Sequence, residues 1–248
     1  MTSSKRLRAL AVLALLFCLG GSADGAAATR HAIGHSVHGR PIVLFTSALA
    51  DPRLRMLIFG DIHGDETAGM RSARRLISAP HPAAELMVVP TINPDGVAAS
   101  TRGNAHGVDL NRNFPFRWRP LSGGEYSGTG PLSEPESRAA HHLILRTKPD
   151  ITIWFHQPFG LVDRPQSNPF AAHRFATMIG LPLVRLPGLY PGSASRWQNH
   201  RFPQSTAFVI ELPPRVGSSL IRRSTAAVLT LASELASPGL SPLQRVAR

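Results

Sequence analysis

Several short polar signals interrupt the apolar stretches of this chain, and each carries residue types that do chemistry. His63-Gly64-Asp65-Glu66 places an imidazole and a carboxylate three residues apart. That spacing can bring both onto one metal ion, although a lone H-x-x-E also arises often by chance. His156 closes the apolar run Ile151-Thr152-Ile153-Trp154-Phe155, and Glu211 closes Phe208-Val209-Ile210. Two histidines and one glutamate are an established catalytic zinc set that leaves a position open for water or substrate. One zinc ion on His63, Glu66 and His156 is therefore expected. Metal-assisted hydrolysis needs a base that takes a proton from water and returns it to the leaving amine. Glu211 suits that task, because a carboxylate at the end of an apolar strand is partly desolvated and its pKa rises. A developing oxyanion needs a further cation, expected from Arg102. A substrate carboxylate needs a planar two-donor clamp, which arginine supplies and lysine does not. Arg112 with the amide of Asn111 fits. Either Asp61 or Asp65 is expected to orient His63 as an outer partner. These residues read as a zinc peptidase that grips a carboxylate.

The elements that must hold these residues follow from the apolar pattern. Strands are expected over 41–47, 56–59, 86–92, 151–155, 183–186 and 207–210. Helical spacing marks 66–77, 133–147, 168–179 and 216–235. Asn93-Pro94-Asp95-Gly96 is a turn signal, and Ser133 with Glu136 three residues on reads as a helix cap. Residues 97–130 are glycine- and arginine-rich, and a loop that long in a compact domain is usually functional. Short apolar strands alternating with helices imply an α/β fold with a largely parallel sheet covered on both faces. Ligands in such sheets sit beyond the carboxyl ends of the strands. His63, His156 and Glu211 each follow an apolar strand, so they are expected to converge at one edge.

Composition excludes several classes. The formal charge is +12, but Lys5 and Lys148 are the only lysines and the arginines are scattered. No basic block reads as a nucleic-acid arm. Lys5, Arg6 and Arg8 precede the apolar stretch Ala9–Leu19, which is too short to span a membrane. Small residues follow. Residues 1–28 are thus expected to be a signal peptide and 29–248 a single catalytic domain, exported to the periplasm or the exterior without membrane contact after cleavage. Cys18 is the only cysteine and lies in that stretch, so the mature chain carries no disulfide, thiol nucleophile or cysteine metal site.

At this point the chain resembles the zinc metallocarboxypeptidase family, the funnelins. The resemblance rests on Gly34-His35-Ser36-Val37-His38-Gly39-Arg40-Pro41-Ile42, His63-x-x-Glu66, Asn93-Pro94-Asp95-Gly96, Asp109-x-Asn111-Arg112-Asn113, His156 and Glu211, in that order. It implies zinc on His63, Glu66 and His156, Glu211 as general base and acid, Arg102 as carbonyl polariser, and Asn111 with Arg112 as carboxylate clamp. It also implies a three-layer α/β/α sandwich around a mixed, largely parallel sheet of about eight strands. Within the family, Thr101–Pro115, His156-Gln157-Pro158 and Glu211-Leu212-Pro213 are similar to the small bacterial murein peptide amidase A branch. That branch implies a murein-derived peptide partner, cut at the γ-D-glutamyl–meso-diaminopimelate bond, with a diaminopimelate carboxylate on Arg112. The family's mobile substrate-binding tyrosine corresponds to Tyr190, in a stretch compressed before Gly192-Ser193. A secreted L-specific metallocarboxypeptidase is the alternative. The pocket over 185–202 discriminates, and Arg196, Gln198, Asn199 and His200 tilt it toward polar. A catalytically silent zinc- and wall-peptide-binding module should have lost the base or a ligand, and none is missing. A monomer is expected.

Overall fold

A computed structural model describes residues 28–47, 52–79, 84–188 and 190–237. Four strands form its parallel centre: β3 (Arg55–Phe59), β4 (Glu85–Val89), β5 (Ile151–His156) and β8 (Thr206–Glu211). They are mostly apolar, and every residue of β5 and β8 is buried, as strands covered on both faces require. The hairpin of β1 (Thr29–His35) and β2 (Pro41–Thr46) pairs antiparallel and adds its second strand to β4. On the other side β6 (Leu161–Asp163) runs antiparallel to β8 and carries β7 (Leu183–Val184) at the edge. The sheet order is β1-β2-β4-β3-β5-β8-β6-β7, so the expected mixed eight-stranded sheet is present.

Alternation along the central strands feeds two separate cores. Met56, Ile58, Leu86, Val88, Ile153, Phe155, Phe208 and Ile210 point to one face. There they meet α1 (Ala68–Ile77), α4 (Phe170–Ile179) and α6 (Ser218–Ala236). Leu57, Phe59, Met87, Val89, Trp154 and Val209 point to the other, against α3 (Pro135–Thr147) and α5 (Ala194–Arg201). On that second face Phe59 stacks on Trp154 with ring centroids 3.9 Å apart. Helices on both faces make the three-layer sandwich.

Local details depart from the expected pattern. Asn93-Pro94-Asp95-Gly96 does not simply turn: Asn93 Oδ1 accepts from the Gly96 amide and caps α2 (Pro94–Ala99), with Pro94 in the first turn. Ser133 does not cap α3; its hydroxyl donates to Glu134, and Glu134 is the cap residue. Apolar patterning marks none of β6, α2 and α5. The strand expected over 183–186 shortens to two residues. The expected signal peptide lies outside the described residues, apart from Ala28. Among the described residues no helix is long and apolar enough to cross a membrane.

The chain reverses around β3, since β4 lies on one side of it and β5 on the other. A crevice opens at the carboxyl ends where neighbouring connections diverge. The loop leaving β3 packs directly on α2: a Cβ on Gly64 would fall 1.9 Å from the Gly96 carbonyl carbon. Gly64→Ala is therefore expected to destabilise the fold by about 3 kcal/mol through backbone overpacking and to lower zinc retention by displacing His63. Gly124→Ala meets nothing within 4 Å and should leave stability unchanged. Urea midpoints and metal content of the two variants check this.

Candidate active site

All eight residues expected to do chemistry or bind substrate line one cavity of about 520 Å³: His63, Glu66, Arg102, Asn111, Arg112, His156, Tyr190 and Glu211. Register explains part of this. His156 pairs directly with Glu211 across β5 and β8, while His63 enters from the loop after β3. Helix α1 begins just beyond Glu66. Its Ala68 amide donates to Gln157 Oε1, which ties the first ligand loop to the strand end that carries His156.

His63, Glu66 and His156 are buried, and their donor atoms lie within 4.8 Å of one another. Nδ1 of His63 stands 2.9 Å from Glu66 Oε1, and Nδ1 of His156 stands 3.0 Å from Glu66 Oε2. Nε2 of His63 faces Asp109 Oδ1 at 2.9 Å, so the proton belongs on Nε2 and the Nδ1 lone pair faces the carboxylate. Two lone pairs at that distance repel unless a cation lies between them. Electrostatics states the same demand. Burial alone would depress the His63 imidazole, but Asp109 and Glu66 outweigh it and push it up to about 9. Burial would raise the Glu66 carboxyl, yet the two histidines hold it well below the usual range. Two imidazoles and one carboxylate are donors that zinc accepts, so the residues fit that ion.

Asp109 replaces both expected outer partners of His63. Asp61 is buried and accepts from Thr91 Oγ1 at 2.5 Å, with burial pushing its carboxyl up to about 8, and Asp65 is exposed. The signal for Asp109 was its place in the Asp109-x-Asn111-Arg112-Asn113 motif. Its Oδ1 also accepts from the Asn111 amide, and its Oδ2 takes Nε and Nη2 of Arg102 at 3.1 and 2.9 Å. The third Arg102 contact is Nη1 to Glu66 Oε1 at 3.0 Å. Asn93, the cap of α2, also sends its Nδ2 toward the carbonyls of Ile62, Arg102 and Gly103 and so joins the His63 loop to the Arg102 loop. Asn113 anchors the long loop by donating to Ser127 O, Gly130 O and Ser133 Oγ.

Glu211 has Oε2 buried without a hydrogen-bond partner, and desolvation raises its carboxyl. A buried carboxylate with one open oxygen is suited to move a proton. In the clamp, Arg112 is buried, with Nη1 on its neighbour's carbonyl, Asn111 O, and Nη2 on Glu125. Asn111 Oδ1 accepts from the Ala194 amide, which turns its NH₂ end away from α5. Gly192 permits the close approach of this turn: its φ is 71°, and a Cβ there would lie 2.0 Å from Arg112 O. Glu125 is a residue that sequence reasoning missed. It lines the cavity, and its carboxylate holds the guanidinium where a substrate carboxylate would bind. Tyr190 reaches the cavity despite the compressed stretch. Its φ of 38° costs a non-glycine residue about 1–3 kcal/mol, and its ring lies against Arg112 rather than folding into the core. Of the four residues expected to make the pocket polar, only Arg196 lines this cavity. Asn199 and His200 line an adjoining one, and Gln198 is buried against Thr152 and Ser205.

Comparison with known proteins agrees with this geometry. A family model described as zinc carboxypeptidase matches residues 23–162. Murein peptide amidase A of Escherichia coli K12 is 33% identical over 180 residues, covering 66% of this chain and 74% of that protein. Murein peptide amidase A of Vibrio campbellii is 33% identical over 216 residues, covering 80% and 85%. The crystal structure of a murein-tripeptide amidase from Escherichia coli O157 superposes with a TM-score of 0.67 at 27% identity, covering 84% of this chain and 91% of that one. Carboxypeptidase A from Helicoverpa armigera, 18% identical with a TM-score of 0.71 over 85% of this chain and 68% of that one, shares the fold.

Two variants test the site's wiring. Asp109→Asn should weaken zinc binding about 10- to 100-fold, the usual effect of losing a partner that orients a ligand, read by competition with a chelating dye. Glu125→Gln should strengthen binding of a carboxylate ligand severalfold by removing the competing charge from Arg112, read by titration calorimetry.

Proposed function

The chain belongs to the zinc carboxypeptidase family, and from that premise we propose that it hydrolyses the γ-D-glutamyl–meso-diaminopimelate amide of murein peptides. Family membership makes it a zinc-dependent peptidase. The observation that carries the finer reading is the cavity itself, which holds the metal triad, Glu211 and the Arg112 fork together with Asp163, Ser195 and Arg196. Its walls include Phe159, Leu186 and Val209, but the charges of Asp163 and Arg196 among them suit a polar leaving residue better than a bulky apolar one. The 33% identity to proteins called murein peptide amidase A supports the same bond.

His63, Glu66 and His156 would hold the zinc ion, which when bound supplies Lewis acidity toward water and the carbonyl oxygen. Arg112 takes the free carboxylate of the leaving residue bidentately, with Asn111 beside it. That contact orients the amide before reaction. Arg102 is held rigidly by Asp109, and its Nη1 lies on Glu66, so it adds positive charge where the oxyanion develops. Glu211 takes the proton of the attacking water on Oε2 and returns it to the departing amine. Two consequences of the amino-terminal pattern belong to this proposal. The protein is exported after loss of residues 1–28, and it acts on wall-derived peptides in the periplasm or outside the cell.

Mass spectrometry of L-Ala-γ-D-Glu-meso-diaminopimelate incubated with zinc-loaded mature protein tests this. Wild type should release diaminopimelate, and Glu211→Gln should be slower by about 10²- to 10⁴-fold, the contribution of a positioned base. Removal of C-terminal residues from ordinary L-peptides, with no release from the tripeptide, would contradict the proposed bond.

A further inference from the structure

Two guanidinium groups approach one aromatic ring in the cavity wall. Arg112 Cζ lies 5.3 Å and Arg196 Cζ 4.8 Å from the Tyr190 ring centroid. These two distances bound the separation of the cations at about 10 Å. A ring face attracts each cation, so Tyr190 offsets the repulsion between like charges and fixes their spacing. Nη1 of Arg196 donates to Gly188 O at 2.8 Å, which anchors its side chain to the turn before Tyr190.

Asp163 supplies the opposite sign. It ends β6 and lines the cavity with Arg196. Its Oδ1 accepts from the Leu186 amide at 3.0 Å, which holds the carboxylate in place. Burial raises this carboxyl, and the Leu186 amide, Arg196 and Arg185 oppose that rise without cancelling it. Asp163, Leu186, Ser195, Arg196 and Val209 also line a second cavity of about 590 Å³. They form a wall shared by the two cavities, so space continues beyond the clamp toward Arg185 and Asn199.

We propose that Arg196 and Asp163 form a second recognition point, which holds the carboxylate and the ammonium at the far end of a leaving residue whose near carboxylate sits on Arg112. The leaving residue is then a diamino dicarboxylic acid, with one carboxylate at each end and an ammonium beside the far one. This deepens the proposed function and rests on it. Other leaving residues match the pocket less well. Lysine carries the far ammonium but brings no second carboxylate to Arg196. A dicarboxylic acid without the far amine brings no ammonium to Asp163. An apolar residue brings neither, and covering charged groups without offering them a hydrogen bond is costly.

Calorimetric titration of zinc-loaded wild type, Asp163→Asn and Arg196→Met with free meso-diaminopimelate, L-lysine and L-2-aminopimelate tests the pair. Wild type should bind diaminopimelate about tenfold or more tightly than either analogue, the scale of one charge-assisted hydrogen bond. Asp163→Asn should erase the preference over 2-aminopimelate alone, and Arg196→Met the preference over lysine alone. Arg196→Lys keeps the charge and should restore part of the latter, which separates recognition from damage to the fold. Equal binding of all three ligands by wild type, or an equal loss for all three in the variants, would overturn the pair. Tripeptide hydrolysis without binding preference would sink the pair and leave the proposed function standing. Preference for diaminopimelate without tripeptide hydrolysis would do the reverse.

Discussion

The carboxylate of Asp109 is the constraint on which the site depends. It is buried, and it accepts hydrogen bonds from His63 Nε2, the Asn111 amide and the Arg102 guanidinium at once. One side chain thereby sets the tautomer of a metal ligand, the position of the oxyanion cation and the start of the carboxylate clamp. A buried carboxylate is tolerated only when so fully paired. Its partners hold its carboxyl well below the ordinary range, against the opposing effect of burial. Removing it would leave His63 free to present either nitrogen and Arg102 free to collapse wholly onto Glu66.

The fold supplies the rest by dividing labour between regular and irregular backbone. Parallel strands, buried on both faces, bring His156 and Glu211 to the same register and His63 just beyond the neighbouring strand. The long connection between β4 and β5 carries Arg102, Asp109, Asn111 and Arg112 without a strand of its own. Side-chain amides substitute for a ladder there: Asn93, Asn104 and Asn113 satisfy carbonyls and carboxylates that would otherwise be orphaned. Functional groups on a loop thus gain the rigidity usually found on strands.

His63, His156 and Glu211 could be read from sequence because each combines a reactive residue type with the end of an apolar run, and Glu66 because it stands three residues after His63. Convergence at one edge then followed from how parallel sheets end. The outer partner of His63 could not be read in the same way. Asp61 and Asp65 are near it in sequence, whereas Asp109 is 46 residues away, and only the folded loop brings it close. Glu125 and Asp163 escaped notice for a related reason. Each is a lone acid, Glu125 beside two glycines and Asp163 at the end of a three-residue strand, and its meaning depends on the arginine it faces. The elements α2, α5 and β6 are short, and α5 has the polar sequence Ala194-Ser195-Arg196-Trp197-Gln198-Asn199-His200-Arg201, so apolar periodicity gave no signal for it. Tyr190 illustrates the converse: the family pattern located it, but its packing against two arginines is visible only in the structure.

The central claim is that buried negative charge around His63, Glu66 and His156 is arranged for one zinc ion. Anomalous diffraction at the zinc edge from crystals of the zinc-loaded protein tests it most directly. One strong peak is expected, bonded to Nδ1 of His63, a carboxylate oxygen of Glu66 and Nδ1 of His156, with Asp109 still on His63 Nε2. A peak bonded to other side chains, or His63 flipped to offer Nε2 to the metal, would contradict it.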